Sequence, residues 1–144
     1  MIDYLRGVAH TLVNNTGLID VNGVGYAFIC NGRFDVEQTK NSYYGYTKGK
    51  QKGLSTVLIH SIGNDKGEIT LYGFSTWQQR VMFRDLISCN GVGPKLALSL
   101  LDQTLGDTLK TAIKEGNAKG LMTYRGVGEA VSRKIIDKLQ KTYQ

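Results

Sequence analysis

Two short segments repeat one device at an offset of 35 residues: Asn90-Gly91-Val92-Gly93-Pro94-Lys95 and Arg125-Gly126-Val127-Gly128-Glu129-Ala130. Each Gly-x-Gly lies between two stretches of helical period, so the chain has to run helix, tight turn, helix, and do it twice. Glycine there lets the backbone take positive φ and come close to a ligand. Pro94 suits the first position of a helix. The open N–H groups at the start of each second helix favour an anion, and Lys95, just inside, can reach a neighbouring phosphate. Such contacts hold a backbone and read no bases. A single copy is explained about as well by a sharp turn between two helices. Two copies in a basic region favour phosphate binding.

Other uses of glycine-rich turns fit less well. A dinucleotide fingerprint needs a strand before its glycines and a third glycine after them, whereas here a helix precedes. No Walker A loop is present, so ATP binding is not expected, and no cofactor is called for. The net charge is +6, and it is uneven. Residues 1–73 carry seven Lys/Arg against six Asp/Glu, residues 74–144 eleven against six. The basic half therefore holds both glycine turns and suits a polyanionic partner. Cys30 and Cys89 are too far apart for a zinc motif and suit buried thiols in a reducing cytosol. His10 and His60 stand fifty residues apart and no residues group as metal ligands. No apolar run reaches the ~20 residues of a membrane span, and the start MIDYLRG lacks a signal-peptide pattern. A cytoplasmic protein is expected.

The first half has the period of strands. Residues 4–13 alternate loosely, and 18–30 place Asn22-Gly23 between two β-rich runs, a strong hairpin signal. Residues 54–62 and 68–74 form two further runs around the polar turn 63–67. Short strands at this spacing predict a small barrel or sandwich. Residues 31–53 are ambiguous, a strand with a basic loop or a long connection. After Gly73 the period changes. Ser75-x-x-Gln78 has the form of a capping box, and Trp77, Val81, Phe83, Leu86 and Ile87 give a helical apolar stripe. Helices are predicted over 94–101, 107–116, part of 117–124 and about 129–143, the last burying Val131, Ile135, Ile136, Leu139 and Tyr143. The chain thus reads as an α+β, multidomain protein: a β-barrel domain over 1–73 and an all-α domain over 74–144.

The phrases NGVGPKLAL and RGVGEAVSRKI resemble tandem helix-hairpin-helix DNA-binding motifs. Together with LRG, NGVGYAF and LYGF ahead of them, and FRDLISCNGVGPKLALSLL around the first, they resemble the RuvA family, Holliday-junction-binding subunits of the bacterial branch-migration machine. The resemblance covers residues 1 to about 143. It implies an N-terminal OB-fold barrel and a helix-hairpin-helix domain. It also implies a homotetramer, single or doubled face to face into an octamer, that holds a four-way DNA junction open during recombination and repair. The partners implied are the RuvB ATPase motor and the RuvC resolvase; the chain itself would be non-catalytic. Gly91, Val92, Gly93 and Lys95 would serve the first hairpin, Gly126 and Gly128 the second.

An acidic pin is implied in the turn before LYGF, with Asp65 the best match and Glu68 near it. The sequence departs from the family in three places. The pin lacks two adjacent acids. Glu129 and Ala130 stand where the second hairpin usually has lysines, leaving Arg125, Arg133 and Lys134 to take over phosphate contact there. The family continues into a third domain that docks the motor, whereas this chain ends at Gln144, so motor docking is not expected of it.

Two rival functions follow from the same residues. A helix-hairpin-helix glycosylase would need a catalytic acid such as Asp137, which an ion pair with the adjacent Lys138 explains more simply. A single-strand binder would stack bases on Tyr43, Tyr44 and Tyr46, which strand packing explains as well.

Overall fold

In a computed structural model, residues 2–11, 13–41 and 54–144 are described. They form two compact units, Met1–Arg80 and Val81–Gln144. No described helix is long and apolar enough to cross a membrane.

The first unit is a closed five-stranded barrel of β1 (Tyr4–Thr11), β2 (Thr16–Val21), β3 (Val24–Ile29), β4 (Ser55–Gly63) and β5 (Ile69–Phe74). The strand order is β1-β2-β3-β5-β4, with β1 also pairing β4 to close the ring. β3 meets β5 in parallel, and every other pair is antiparallel. A helix, α1 (Val36–Asn41), stands between β3 and β4. This is the OB-fold topology, five strands rolled into a small barrel.

Local chemistry explains the strands' turns. Asn22 and Gly23 both take positive φ (51° and 87°) between the paired residues Val21 and Val24. That is the two-residue turn whose twist matches its strands. Inside the barrel, Ile19, Phe28, Val57 and Ile59 are buried, and the Phe28 and Phe34 rings meet at 5.2 Å in a tilted pair. Phe28 fits because two strands give it room: a Cβ added at Gly17 or at Gly73 would fall 2.2 or 2.3 Å from its ring.

Helix α2 (Trp77–Ile87) begins within this unit. Its cap lies one residue beyond the predicted one. Thr76, not Ser75, caps the helix, its hydroxyl accepting from the Gln79 N–H at 3.2 Å. The predicted apolar stripe is also rotated. Trp77 is 47% exposed, while Met82, Phe83 and Leu86 are buried. Arg80 is buried as well, with 0% exposure. Its Nη1 donates to the Asp3 carbonyl at 2.7 Å, the Asp3 carboxylate at 3.1 Å and the Ile59 carbonyl at 3.2 Å. The guanidinium also stacks on Trp77 at 5.0 Å. An amphipathic pattern could not reveal this, because the charge is placed by one carbonyl just ahead of β1 and another on β4.

The second unit holds the rest of α2 and α3 (Pro94–Gln103), α4 (Gly106–Lys114), α5 (Ala118–Leu121) and α6 (Glu129–Tyr143). Pro94 opens α3 as predicted. Gly116, at φ 67°, ends α4 in a Schellman arrangement: Gly116 N–H bonds the Ile113 carbonyl at 3.0 Å, and Asn117 N–H the Ala112 carbonyl at 2.9 Å. On α6, Ile135 and Leu139 are buried as expected. Val131, Ile136 and Tyr143 are only half-buried, and Ser132 is buried instead. The Tyr143 hydroxyl donates to Asp85 Oδ2 at 2.8 Å. Burial, and then that bond, hold its phenol well above the usual tyrosine range. Cys30 and Cys89 are both buried.

Arg80→Ala should cost the chain about 3 kcal/mol or more, since it strips a fully buried cation from two backbone acceptors. Asp3→Asn, at a half-exposed partner, should cost less than about 1 kcal/mol. Urea unfolding of both variants checks the contrast; equal, small losses would mean that the Arg80 bonds do not hold α2 to Asp3 and β4.

Candidate nucleic-acid interface

Each glycine motif forms the same turn. Val92 N–H bonds the Cys89 carbonyl at 3.1 Å, and Val127 N–H bonds the Tyr124 carbonyl at 3.2 Å. The third residue of each turn takes positive φ, 87° at Gly91 and 90° at Gly126, as a type II turn requires. The valines are anchors: Val92 is 5% and Val127 6% exposed. The expectation that Val92 meets a ligand is therefore corrected for its side chain, which points into the core because the turn needs an apolar peg.

The second glycine of each motif is different. Gly93 (φ −91°) and Gly128 (φ −93°) are extended N-cap residues, a conformation open to any residue. A Cβ added at either would meet nothing within 4 Å. Neither helix start has a side-chain cap bond. The first intrahelical bonds are made by Ala97 N–H and Ser132 N–H, to the carbonyls of Gly93 and Gly128 at 3.0 Å each. The N–H groups ahead of them face out from the helix end with the positive pole of its dipole. Lys95 is exposed at the second position of α3. At the corresponding end of α6 stands Glu129, whose carboxylate pairs with Arg133 at 3.1 Å, both well exposed.

The two hairpins hold each other. Leu96, on α3, packs on the second turn: a Cβ at Gly126 would lie 2.7 Å from its Cδ1. Gln103, at the end of α3, clamps the same turn, accepting from Arg125 N–H at 2.8 Å and donating to the Arg125 carbonyl at 3.2 Å. In return, Val131 and Lys134 on α6 pack on the first turn, with Lys134 Nζ 3.9 Å from the Cβ position of Gly91. Lys134 was expected to compensate the second hairpin. It stands at the first instead, because each helix leans across to the other's turn. Arg133 is occupied by Glu129, so of the three expected basic residues Arg125 remains for the second hairpin, its side chain exposed. Gln103 was not foreseen, since nothing in a sequence marks a contact across 22 residues.

The acidic turn lies in the barrel unit, at the tip of the β4–β5 hairpin. Asn64 organises it: its Oδ1 accepts from Lys66 N–H and Glu68 N–H, both at 3.0 Å, and Gly67 takes φ 80°. Asn64 Nδ2 also donates to Glu68 Oε2 at 2.9 Å, drawing that carboxylate back onto the turn. Asp65 is exposed at the tip. Asp137 is exposed on α6, and its expected ion pair with Lys138 is not among those of the described residues. Tyr43, Tyr44 and Tyr46 lie outside the described residues. Among the described residues no group of three His, Cys, Asp or Glu could hold a metal ion.

An OB-type barrel joined to paired helix-hairpin-helix motifs is the class these elements define. Residues 83–141 match the family described as a SAM-like helix-hairpin-helix tandem. Along nearly its whole length the chain is similar to RuvA subunits. It is 31% identical over 94% of its residues to the "Holliday junction branch migration complex subunit RuvA" of Lactobacillus gasseri, and 31% identical over 94% to that of Halalkalibacterium halodurans. Against the protein of the same name from a Shewanella species it is 33% identical over 97%. It spans 64%, 61% and 63% of these relatives' lengths, a little under two thirds.

Gly126→Ala should lower stability by about 1–2 kcal/mol through positive φ and the contact with Leu96, and Gly91→Ala by a similar amount through φ alone. Gly93→Ala and Gly128→Ala should melt with the parent chain. Thermal unfolding of the four variants checks this; a loss at Gly93 or Gly128 as large as at Gly126 would assign the second glycine a folding role.

Proposed function

We propose that this chain binds four-way DNA junctions by their structure, as a homotetramer, and holds the arms open for branch migration by a RuvB-type motor. The observation that carries the proposal is the division of labour within each Gly-x-Gly. Gly91 and Gly126 are required by the turn. Gly93 and Gly128 are extended, a Cβ on either would meet nothing within 4 Å among the described residues, and they stand at uncapped helix starts where a bare backbone can approach a phosphate. The names of the relatives and the family of residues 83–141 support the same reading.

In this mechanism the N–H groups at the starts of α3 and α6 hold phosphates of one duplex arm. Lys95 and Lys134 add charge at the first hairpin, and Arg125 at the second. Glu129 opposes phosphate at the second, so the first hairpin carries more of the affinity. Asp65 acts as the pin: a carboxylate near phosphates at the junction centre repels them and keeps the strands from seating. Glu68, tied to Asn64, shapes the turn more than it repels. The chain contributes binding and no catalysis, and the ATP-driven step belongs to the motor.

Gly93→Ala with Gly128→Ala should weaken junction binding at least several-fold without lowering the melting temperature, while scrambling the arm sequences should leave the parent's affinity nearly unchanged. Gel shifts with a four-way junction and a linear duplex of equal length test both statements. Strong dependence on arm sequence, or full binding by the double variant, would overturn the proposal.

Asp65→Asn should tighten junction binding or reduce the preference for junction over duplex, and Glu68→Gln should do so less. Titrations of both substrates with the two variants measure this. Equal effects would mean that the Asn64 bond does not separate the two acids.

A further inference from the structure

Helix α6 carries Lys134, Lys138 and Lys141 at spacings of four and three, which puts them on one helical face. All three are exposed. The face has a definite address. Lys134 Nζ stands 3.9 Å from the Cβ position of Gly91. One turn on, Lys138 lies close enough to Cys89 to pull its thiol pKa down against the larger, upward effect of burial and beside the Ser88 hydrogen bond. At the helix end Tyr143 is bonded to Asp85. As α6 advances through 134, 138 and 143, it therefore passes residues 91, 89 and 85, moving back along the segment that leads into the first hairpin.

Lys40–Glu37, Arg80–Asp3 and Arg133–Glu129 pair among the described residues, and none of these pairs uses the three lysines. Two acids border the stripe, exposed Asp137 on the helix and Asp85 beside Cys89, the latter bonded to the Tyr143 hydroxyl; three lysines against two carboxylates keep a net positive charge. From Lys134 to Lys141 the helix rises about 10 Å. That matches about three phosphates of one DNA strand at ~3.4 Å of axis each.

We propose that Lys138 and Lys141 continue the first hairpin as a basic track, holding phosphates next to those bound at Gly91–Gly93. The inference rests on the DNA-binding reading above. DNA is the occupant because the track starts at the hairpin itself, so a polyanion held there by backbone N–H groups runs onto it without a break. It also gives the last turns of α6 a part in binding, although they lie outside both glycine motifs.

The test uses the full chain with Lys138→Gln and Lys141→Gln combined, beside Lys95→Ala and the charge-matched control Lys40→Gln with Lys119→Gln. Junction affinity is measured over a salt series, and contacted phosphates are mapped by ethylation interference. The double variant should melt with the parent. Its slope of log affinity against log salt should fall by roughly two units per bound subunit. Interference should vanish at phosphates adjacent to those lost in Lys95→Ala. If Lys95→Ala loses its contacts while the double variant keeps slope and footprint, the track is wrong and the hairpin reading stands. If neither variant differs from the parent, the hairpin reading fails and takes the track with it. An equal slope loss in the control would reduce the stripe to general charge and overturn the proposal. So would a double variant that binds the junction normally but no longer binds polyglutamate.

Discussion

The second unit depends on two backbone positions that must take positive φ within packing distance of a neighbouring helix. At Gly126 the constraint is double: the turn needs a left-handed residue, and Leu96 leaves no room for a Cβ. At Gly91 the conformation alone demands glycine; Val131 and Lys134 stand at ordinary contact distance. Val92 and Val127 then drop into the core, and α3 and α6 start where the chain leaves each turn. Tandem hairpins are thus more than two motifs in a row. Gln103 and Leu96 fix the second turn from α3, and α6 fixes the first, so the geometry of each depends on the presence of the other.

The barrel solves a separate problem with similar means. Five short strands close only if something fills the centre without forcing the strands apart. Phe28 does so between Gly17 and Gly73. Arg80 then fastens the first turn of α2 to Asp3 ahead of β1 and to β4, a cation buried among carbonyls and stacked on Trp77. The acidic turn at the far end of β4 and β5 needs none of this core. Asn64 supplies it with internal order, which leaves Asp65 exposed at its tip.

What was legible in the sequence was local. Asn22-Gly23, Pro94, Gly116 and the first glycine of each Gly-x-Gly state a backbone conformation in residues next to one another and take it as expected, whereas Gly93 and Gly128 are extended. The OB-type barrel and the hairpin pair followed from those signals together with the family resemblance. What was not legible was tertiary. The cap moved from Ser75 to Thr76 because the strand before it runs to Phe74 and both residues offer a hydroxyl. Trp77 stays half-exposed and Arg80 is buried because a guanidinium can satisfy carbonyls that an indole cannot. Lys134 crossed to the other hairpin because proximity in sequence says nothing about the lean of a helix. The Glu129–Arg133 pair, by contrast, was legible as an i,i+4 spacing on the predicted last helix and went unread.

The reciprocal packing of the hairpins has a consequence in metrology. The two turns that open α3 and α6 are tied to each other's helices by side chains, Leu96 against Gly126 and Val131 against Gly91, and not by a loop. Interiors of that kind compress little. The interval between the two helix starts is therefore a fixed gauge, and any chain of charges that is to touch both must bring its own spacing to match.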